Sequence, residues 1–318
     1  MDNSLLFSLI GFLLASYSII ANDAIQTLGT FIGSNKKRAW YILWLYTASI
    51  LSIVLIYGWL TNSGDVSYGR LDRFEVPNSF QFVYIIPPLV VLILTRFGIP
   101  VSTTFIVLTV FSPAALNLML TKSIFGYLLA FVVSFLIYRF VAGKFEKRCC
   151  TTKEKIKSYW YVLQWASTGF LWSQWLIQDL ANIFIYMPTR SLSELQLTLS
   201  LITLVIMLGI IFYLRGGAIQ HVVTSKTNTS DIRVATIIDF TYALILLFFK
   251  EYSNIPMSTT WVFIGLLAGR EFAISFHCKH LKRKDIAKVI AKDIGKVTIG
   301  LAISVAIALA IPKLLSFS

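Results

Sequence analysis

Asn22-Asp23 and Gln178-Asp179 each set an amide beside a carboxylate within a long apolar stretch, and they stand 156 residues apart. The same offset carries Ile99-Pro100-Val101-Ser102-Thr103-Thr104 onto Ile255-Pro256-Met257-Ser258-Thr259-Thr260, with one residue changed. Carboxylate and amide oxygens, completed by backbone carbonyls, are ligands for a hard cation such as Na⁺. Three hydroxyls at the start of a helix, where unpaired N–H groups and the positive dipole end also point, form a cradle for a tetrahedral oxyanion. Each Asp precedes its Ser by 79 residues in both copies. One offset for both clusters marks an internal duplication in which each half brings a cation site and an anion site.

The cation-coupling candidates are Asn22, Asp23, Gln26 and Thr27 in the first copy and Gln178, Asp179 and Asn182 in the second. Na⁺ is expected at Asp23 and Asp179, with a proton as the alternative coupling ion. An ionised Asp at the bilayer centre costs about 3 kcal/mol on insertion scales, and two at equivalent positions are hard to assign to chance. The apolar stretch 5–34 is longer than the roughly twenty residues a straight crossing needs, as is 159–187, so a helix broken or unwound at mid-membrane is expected. Ile183 and Tyr186 stand where the first copy has Thr27 and Thr30, which predicts weaker or differently built cation binding in the second half. Asp239 has Val83 as its counterpart and stands outside the repeat. It is either a third coupling carboxylate or a satisfied structural residue.

The substrate-binding candidates are Ser102, Thr103, Thr104, Ser258, Thr259 and Thr260. Proline suits the first helical turn, so Pro100 and Pro256 are expected to start helices with these hydroxyls in or near that turn. N-capping and interhelical hydrogen bonding are the alternative roles. Arg190 is placed near the outer mouth, to steer an anion inward or to anchor the interface.

The elements that must position these groups are membrane helices. The 318 residues are 57 % hydrophobic with mean hydropathy +0.75. Apolar segments fall at 5–20, 40–60, 80–95, 100–120, 121–141, 160–187, 195–214, 232–249, 255–275 and 297–314, ten crossings or five per half. An odd number per half inverts the second repeat. The acidic start without a cleavage pattern predicts a retained first span instead of a signal peptide. With both termini outside, the inner loops hold 22 of the 28 Lys and Arg, as the positive-inside rule requires. The expected fold is an all-α integral membrane protein of two inverted-topology repeats, 1–141 and 160–318, joined by a basic inner connector at 142–159. Polar excursions at 61–78 and 215–231 are too short to be soluble domains.

The net charge of +13 then reflects topology and attraction to anionic lipid. Basic residues spread over five loops, without a compact aromatic-interleaved face, exclude a nucleic-acid partner. Cys149, Cys150 and Cys278 fall in inner loops and form no disulfide framework; unmodified thiols are expected, with acylation of Cys149-Cys150 the other reading. His277-Cys278-Lys279-His280 supplies only three ligands among lysines and reads as a solvated basic face. No catalytic residue and no resident cofactor is assigned, so the chain reads as a non-enzyme.

These motifs resemble the PiT family of inorganic phosphate transporters, which carries two Gly-Ala-Asn-Asp-Val-Ala-Asn-Ala and two Pro-Val-Ser-Thr-Thr-His motifs. The matching runs are Ala21-Asn22-Asp23-Ala24-Ile25-Gln26-Thr27, Ile177-Gln178-Asp179-Leu180-Ala181-Asn182-Ile183 and the two Pro-x-Ser-Thr-Thr runs. Order, spacing and duplication agree over nearly the whole chain. Gln178 and Gln26 replace motif asparagines, and Phe105 and Trp261 stand where the family has histidine. The long central loop of some relatives is absent. The resemblance implies an inverted-repeat fold, Na⁺- or H⁺-coupled uptake of inorganic phosphate or a similar oxyanion across the plasma membrane, and a homodimer. Proton-coupled sulfate uptake is the close alternative. A transport-dead membrane sensor or assembly subunit on the same fold is the third reading.

Overall fold

The computed structural model describes residues 3–97, 99, 101–141, 156–215, 231–277, 288, 291, 295, 298–307, 309 and 310. The expectations for Pro100, Cys149, Cys150, Cys278, His280 and most of the 142–159 connector lie outside these residues. Among the described residues every regular element is helical. All ten apolar segments contain helix.

The chain opens with α1 (Asn3–Ile19), a π-helical turn (Ile20–Ala24) and α2 (Ile25–Ser34). Next come α3 (Trp40–Thr61), a 3₁₀ turn (Phe82–Ile85) and α4 (Ile86–Arg96), whose prolines sit in the first turn, where the missing N–H costs nothing. Then follow α5 (Thr103–Phe111), α6 (Leu116–Phe140), α7 (Tyr159–Phe184) and α8 (Glu194–Tyr213). The last are α9 (Ile232–Tyr252), α10 (Thr259–His277) and α11 (Thr298–Ile307).

Two expectations need correction. Segment 100–120 is not one span: α5 has nine residues and stops at Ser112-Pro113, where proline ends the hydrogen-bond ladder, before α6 runs for 25 residues. The helix is also not unwound at the aspartates. Around Asp23 it widens into a π turn, and α7 passes through Asp179 without interruption over 26 residues.

Five helical stretches are long and apolar enough to cross a membrane: Asn3–Asp23, Trp40–Thr61, Pro113–Phe140, Glu194–Tyr213 and Ile232–Tyr252. Large apolar side chains cover their outer faces, Leu45, Ile53 and Leu60 on α3 and Leu195, Leu199 and Ile206 on α8 among them. A surface this apolar is matched to lipid. The chain is a multi-pass membrane protein.

α7 is the pillar of the interior. Almost every residue from Leu171 to Phe184 is buried, so the helix is enclosed on all sides. Its Trp172 and Trp175 rings stack 4.8 Å apart, and Trp172 Nε1 donates to the Thr47 carbonyl at 3.0 Å. α9 packs along α7, and α10 packs along α6. At the latter contact a Cβ on Gly265 or Gly269 would collide with the Tyr127 or Phe131 carbonyl oxygen. Such small residues let two membrane helices touch backbone to backbone, and Ser134 Oγ locks the pair by donating to the Leu266 carbonyl at 2.7 Å.

Candidate functional site

α5 and α10 begin at Thr103 and Thr259, the equivalent residues of the two copies. Each helix is capped by its serine. Ser102 Oγ accepts from Phe105 N at 3.2 Å, and Ser258 Oγ accepts from Trp261 N at 3.3 Å. Both hydroxyls thereby satisfy an N–H that the first turn leaves unpaired, and each keeps its own proton to donate. Pro256 lies three residues before α10, outside the helix. The proline sets up the approach to the cap and does not occupy the first turn.

The two helix starts are tied to each other. Thr104 Oγ1 donates to the Met257 carbonyl at 3.1 Å, and Thr260 Oγ1 donates to the Val101 carbonyl at 3.0 Å. Residues 101 and 104 are the repeat equivalents of 257 and 260, so one bond is the image of the other. Phe105 and Trp261, also equivalent, meet edge to face with centroids 5.9 Å apart. Contact between equivalent residues is what a two-fold relation between halves produces.

The carboxylates join the same cluster. Asp23 Oδ2 accepts from Thr103 Oγ1 at 2.5 Å. Its Oδ1 accepts from Asn22 Nδ2 at 2.5 Å and Gln26 Nε2 at 3.2 Å. Asn22 also donates to the Val101 carbonyl at 2.9 Å, and Thr27 Oγ1 donates to the Asp23 carbonyl at 3.3 Å. Across the interface Asp179 Oδ1 accepts from Asn182 Nδ2 at 2.8 Å, and Thr104 Oγ1, whose single proton goes either here or to the Met257 carbonyl, lies 3.3 Å away. Asn182 Nδ2 reaches both Thr103 Oγ1 and Thr104 Oγ1 at 3.2 Å. The chain Asp23–Thr103–Asn182–Asp179 is therefore continuous. Thr259 stands beside the Asp179 carboxylate, and its carbonyl accepts from Tyr242 Oη at 2.9 Å.

All these site residues are buried. Three of their acceptor oxygens have no hydrogen-bond donor among the described residues: Asp179 Oδ2, Asn182 Oδ1 and Gln178 Oε1. Buried acceptors without donors are costly unless a cation or a ligand N–H or O–H meets them. Gln178 itself is anchored elsewhere, its Nε2 donating to the Leu246 carbonyl at 3.0 Å. No cluster of three or more His, Cys, Asp or Glu forms among the described residues, so a cation here would be held by mixed carboxylate, amide and hydroxyl oxygens.

Asp239 is set apart. Its carboxylate accepts from Thr30 Oγ1 and Thr168 Oγ1, each at 2.6 Å, and joins α2, α7 and α9. From Thr168 the hydrogen bonds continue through Gln164 to Asn35, at 3.3 and 3.0 Å. Arg190 is engaged by backbone carbonyls. Its guanidinium donates to the carbonyls of Ile185, Phe74 and Glu75 at 3.2, 3.2 and 3.4 Å and clamps two loops. Burial lowers it to about 10.

Sequence reading missed Thr95, whose Oγ1 reaches Asn22 Oδ1 at 3.4 Å. It missed the Thr30–Asp239–Thr168 bridge and, most of all, Arg70 in the loop 62–81. Arg70 is 2 % exposed, and its Nε donates to the Ile177 carbonyl, two residues ahead of Asp179, at 2.8 Å. An arginine in a polar excursion carries no sequence sign of burial.

Fold and site together define a multi-pass helical membrane protein with a buried, two-sided polar centre. Among solved structures the chain is similar to the sodium-dependent phosphate transporter, with a TM-score of 0.63 over 100 % of both chains at 17 % identity. That likeness establishes the fold and coincides with the resemblance carried by the motifs. No family model and no curated protein matches the chain.

Proposed function

We propose that the protein is a secondary active transporter that imports inorganic phosphate, coupled to Na⁺, by alternating access. The observation that carries this reading is the continuous chain Asp23–Thr103–Asn182–Asp179. It makes the hydroxyls of the anion cradle the direct partners of the cation carboxylates. Filling one site therefore changes the hydrogen bonds available to the other, which is the physical content of coupling. Na⁺ is favoured by the two free acceptor oxygens at this centre, Asp179 Oδ2 and Asn182 Oδ1, which suit a hard cation better than a single proton.

The anion is held by the hydroxyls of Ser102, Thr103, Thr104, Ser258, Thr259 and Thr260 and by the two helix N-termini. The reciprocal Thr104 and Thr260 bonds support halves 1–141 and 160–318 that are inverted images, with 142–159 joining them. Rocking of one half against the other would open the buried site to each side in turn. We place the protein in the plasma membrane with both termini outside, as a homodimer. Asp239 serves as a separate cation or proton station between α2, α7 and α9.

Uptake of labelled phosphate and labelled sulfate into proteoliposomes, with Na⁺ and pH gradients imposed independently, tests this. Phosphate accumulation driven by Na⁺ is expected. Sulfate uptake driven by a pH gradient would move the assignment to a proton-coupled oxyanion permease. Absence of flux for both anions in a folded, correctly inserted preparation would leave a transport-dead sensor or assembly subunit.

A further inference from the structure

Arg70 is a deeply buried guanidinium beside α7 that the proposed transport reaction leaves without a task. The loop that carries it is tightly built. The Asp65 carboxylate accepts from Ser67 N at 2.7 Å, Ser67 Oγ at 2.6 Å and Gly69 N at 2.7 Å. Tyr68 and Gly69 adopt positive φ, and Tyr68 Oη donates to the Val54 carbonyl at 2.6 Å. This turn drives the next side chain inward, where Nε meets the Ile177 carbonyl. Nη1 has no partner among the described residues, and no carboxylate there forms an ion pair with Arg70.

Arg70 also lines a cavity of about 480 Å³ together with Asn62, Tyr68, Lys250 and Asn254. A water occupies about 30 Å³ of liquid volume, so the cavity takes an oxyanion with part of its hydration. Glu251 lines it too, but lies 3.0 Å from Lys250. Burial lowers Arg70 to about 10 while Asp179 acts in the opposite direction, so the group is cationic at neutral pH. A buried cation without an anionic partner is unfavourable, and a guanidinium fork matches a tetrahedral oxyanion. The cavity lies at the C-terminal ends of α3 and α9, the side that the charge pattern assigns to the exterior.

We propose that this cavity is an anion-capture subsite, in which Arg70, with Lys250 at its rim, takes hydrogen phosphate before the ion reaches the hydroxyl cradle. The inference deepens the transport reading and rests on it for the fate of the ion.

Equilibrium binding of labelled phosphate to the purified full chain in phospholipid-free detergent tests it, with wild type, Arg70→Gln and a cradle double variant, Thr103→Ala with Thr259→Ala. Two binding components are expected, one lost in Arg70→Gln and the other in the cradle variant. A single component, lost in the cradle variant and untouched by Arg70→Gln, overturns the subsite and leaves the proposed function standing. An Arg70-dependent component in a protein whose cradle variant binds like wild type upholds the subsite and overturns the cradle. No binding of phosphate to wild type overturns both, and displacement of a co-purified acidic phospholipid would then reassign Arg70 to a headgroup.

Arg70 also holds the Ile177 carbonyl, so misfolding of Arg70→Gln must be separated from loss of a ligand. Asn254→Asp puts a negative charge at the exposed rim without touching the buried fork. It should weaken the Arg70-dependent component roughly tenfold by like-charge repulsion. It should also raise the KM for phosphate uptake with kcat kept, which a merely structural arginine would not cause. An unchanged KM overturns the proposal.

Discussion

The Asp23 and Asp179 centres stand at equivalent positions, 156 residues apart, and are built differently. Asp23 sits in a π turn, and both its oxygens are occupied by the hydrogen bonds of Asn22, Gln26 and Thr103. Asp179 sits in an unbroken helix, with no donor on Oδ2 and a further free acceptor, Asn182 Oδ1, on the amide that binds its other oxygen. The sequence offers more oxygen-bearing side chains around Asp23, yet the structure leaves more uncommitted oxygens around Asp179. What limits cation binding is the number of acceptors not already spoken for. Thr27 illustrates the point, since its hydroxyl donates to the Asp23 backbone carbonyl. A π turn also shifts the register of its side chains, which is how Asn22 reaches both Asp23 and Val101. Under the proposed Na⁺ coupling, this comparison makes the Asp179 side the primary cation site, and the Asp23 side would have to release Thr103 before binding.

The sharpest way to break the comparison is to neutralise each carboxylate in turn. Asp179→Asn should weaken Na⁺ binding on the order of 100-fold, because it removes the charge among the free oxygens. Asp23→Asn should weaken it roughly tenfold, through the shared chain. Both should abolish Na⁺-driven uptake. Na⁺-dependent thermal stabilisation of the purified variants reads the difference, and a larger loss in Asp23→Asn would place the primary cation site in the first half.

The equivalent amides give a finer version. Asn182→Ala removes a free oxygen and the bridge to Thr103, and should cost roughly tenfold to 100-fold in Na⁺ affinity. Gln26→Ala deletes only a 3.2 Å bond to an already satisfied carboxylate, and its effect should stay within about threefold. Comparable losses in the two variants would show that the halves bind alike in spite of their different hydrogen bonds.

A smaller effect tests the symmetry itself. Thr104→Val and Thr260→Val each leave a buried carbonyl, that of Met257 or Val101, with one donor fewer. Each should destabilise by about 1–2 kcal/mol. Val101 keeps a second donor in Asn22, so Thr260→Val should be the milder of the two in detergent thermal unfolding. The reverse order would mean that Asn22 contributes nothing at Val101.

Much of this was legible in the chain, because membrane helices declare themselves by hydropathy and a duplicated motif declares its own register. The fixed offset put Asp23, Asp179 and both Ser-Thr-Thr runs in one place without any knowledge of packing. Hydropathy alone ran residues 100–120 together, although Pro113 was there to mark the break. The π turn had no such marker, since Ile20–Ala24 differ little in propensity from their neighbours. Which oxygens stay free is a matter of side-chain pairing across elements some 80 or 150 residues apart. So is the burial of Arg70, which depends on the turn that Asp65 organises, and so is the hold of Arg190 on the loop carbonyls.

The smallest expected effect bears on the departure that most separates this chain from the family its motifs resemble. Phe105 and Trp261 fill the two histidine positions of that motif and meet edge to face, which puts aromatic rings where the motif has imidazole. Trp261 Nε1 is buried without a partner among the described residues. Trp261→Phe keeps the edge-to-face contact and removes that orphaned donor, so the stability change should stay below about 1 kcal/mol. If the ring only packs, phosphate uptake should also remain within about twofold of wild type. A loss of tenfold or more in kcat/KM, with thermal stability unchanged, would mean that the indole N–H donates to the anion during transport. The second half would then supply both the free acceptors and the one aromatic donor, and the inequality of the two centres would extend from cation to anion.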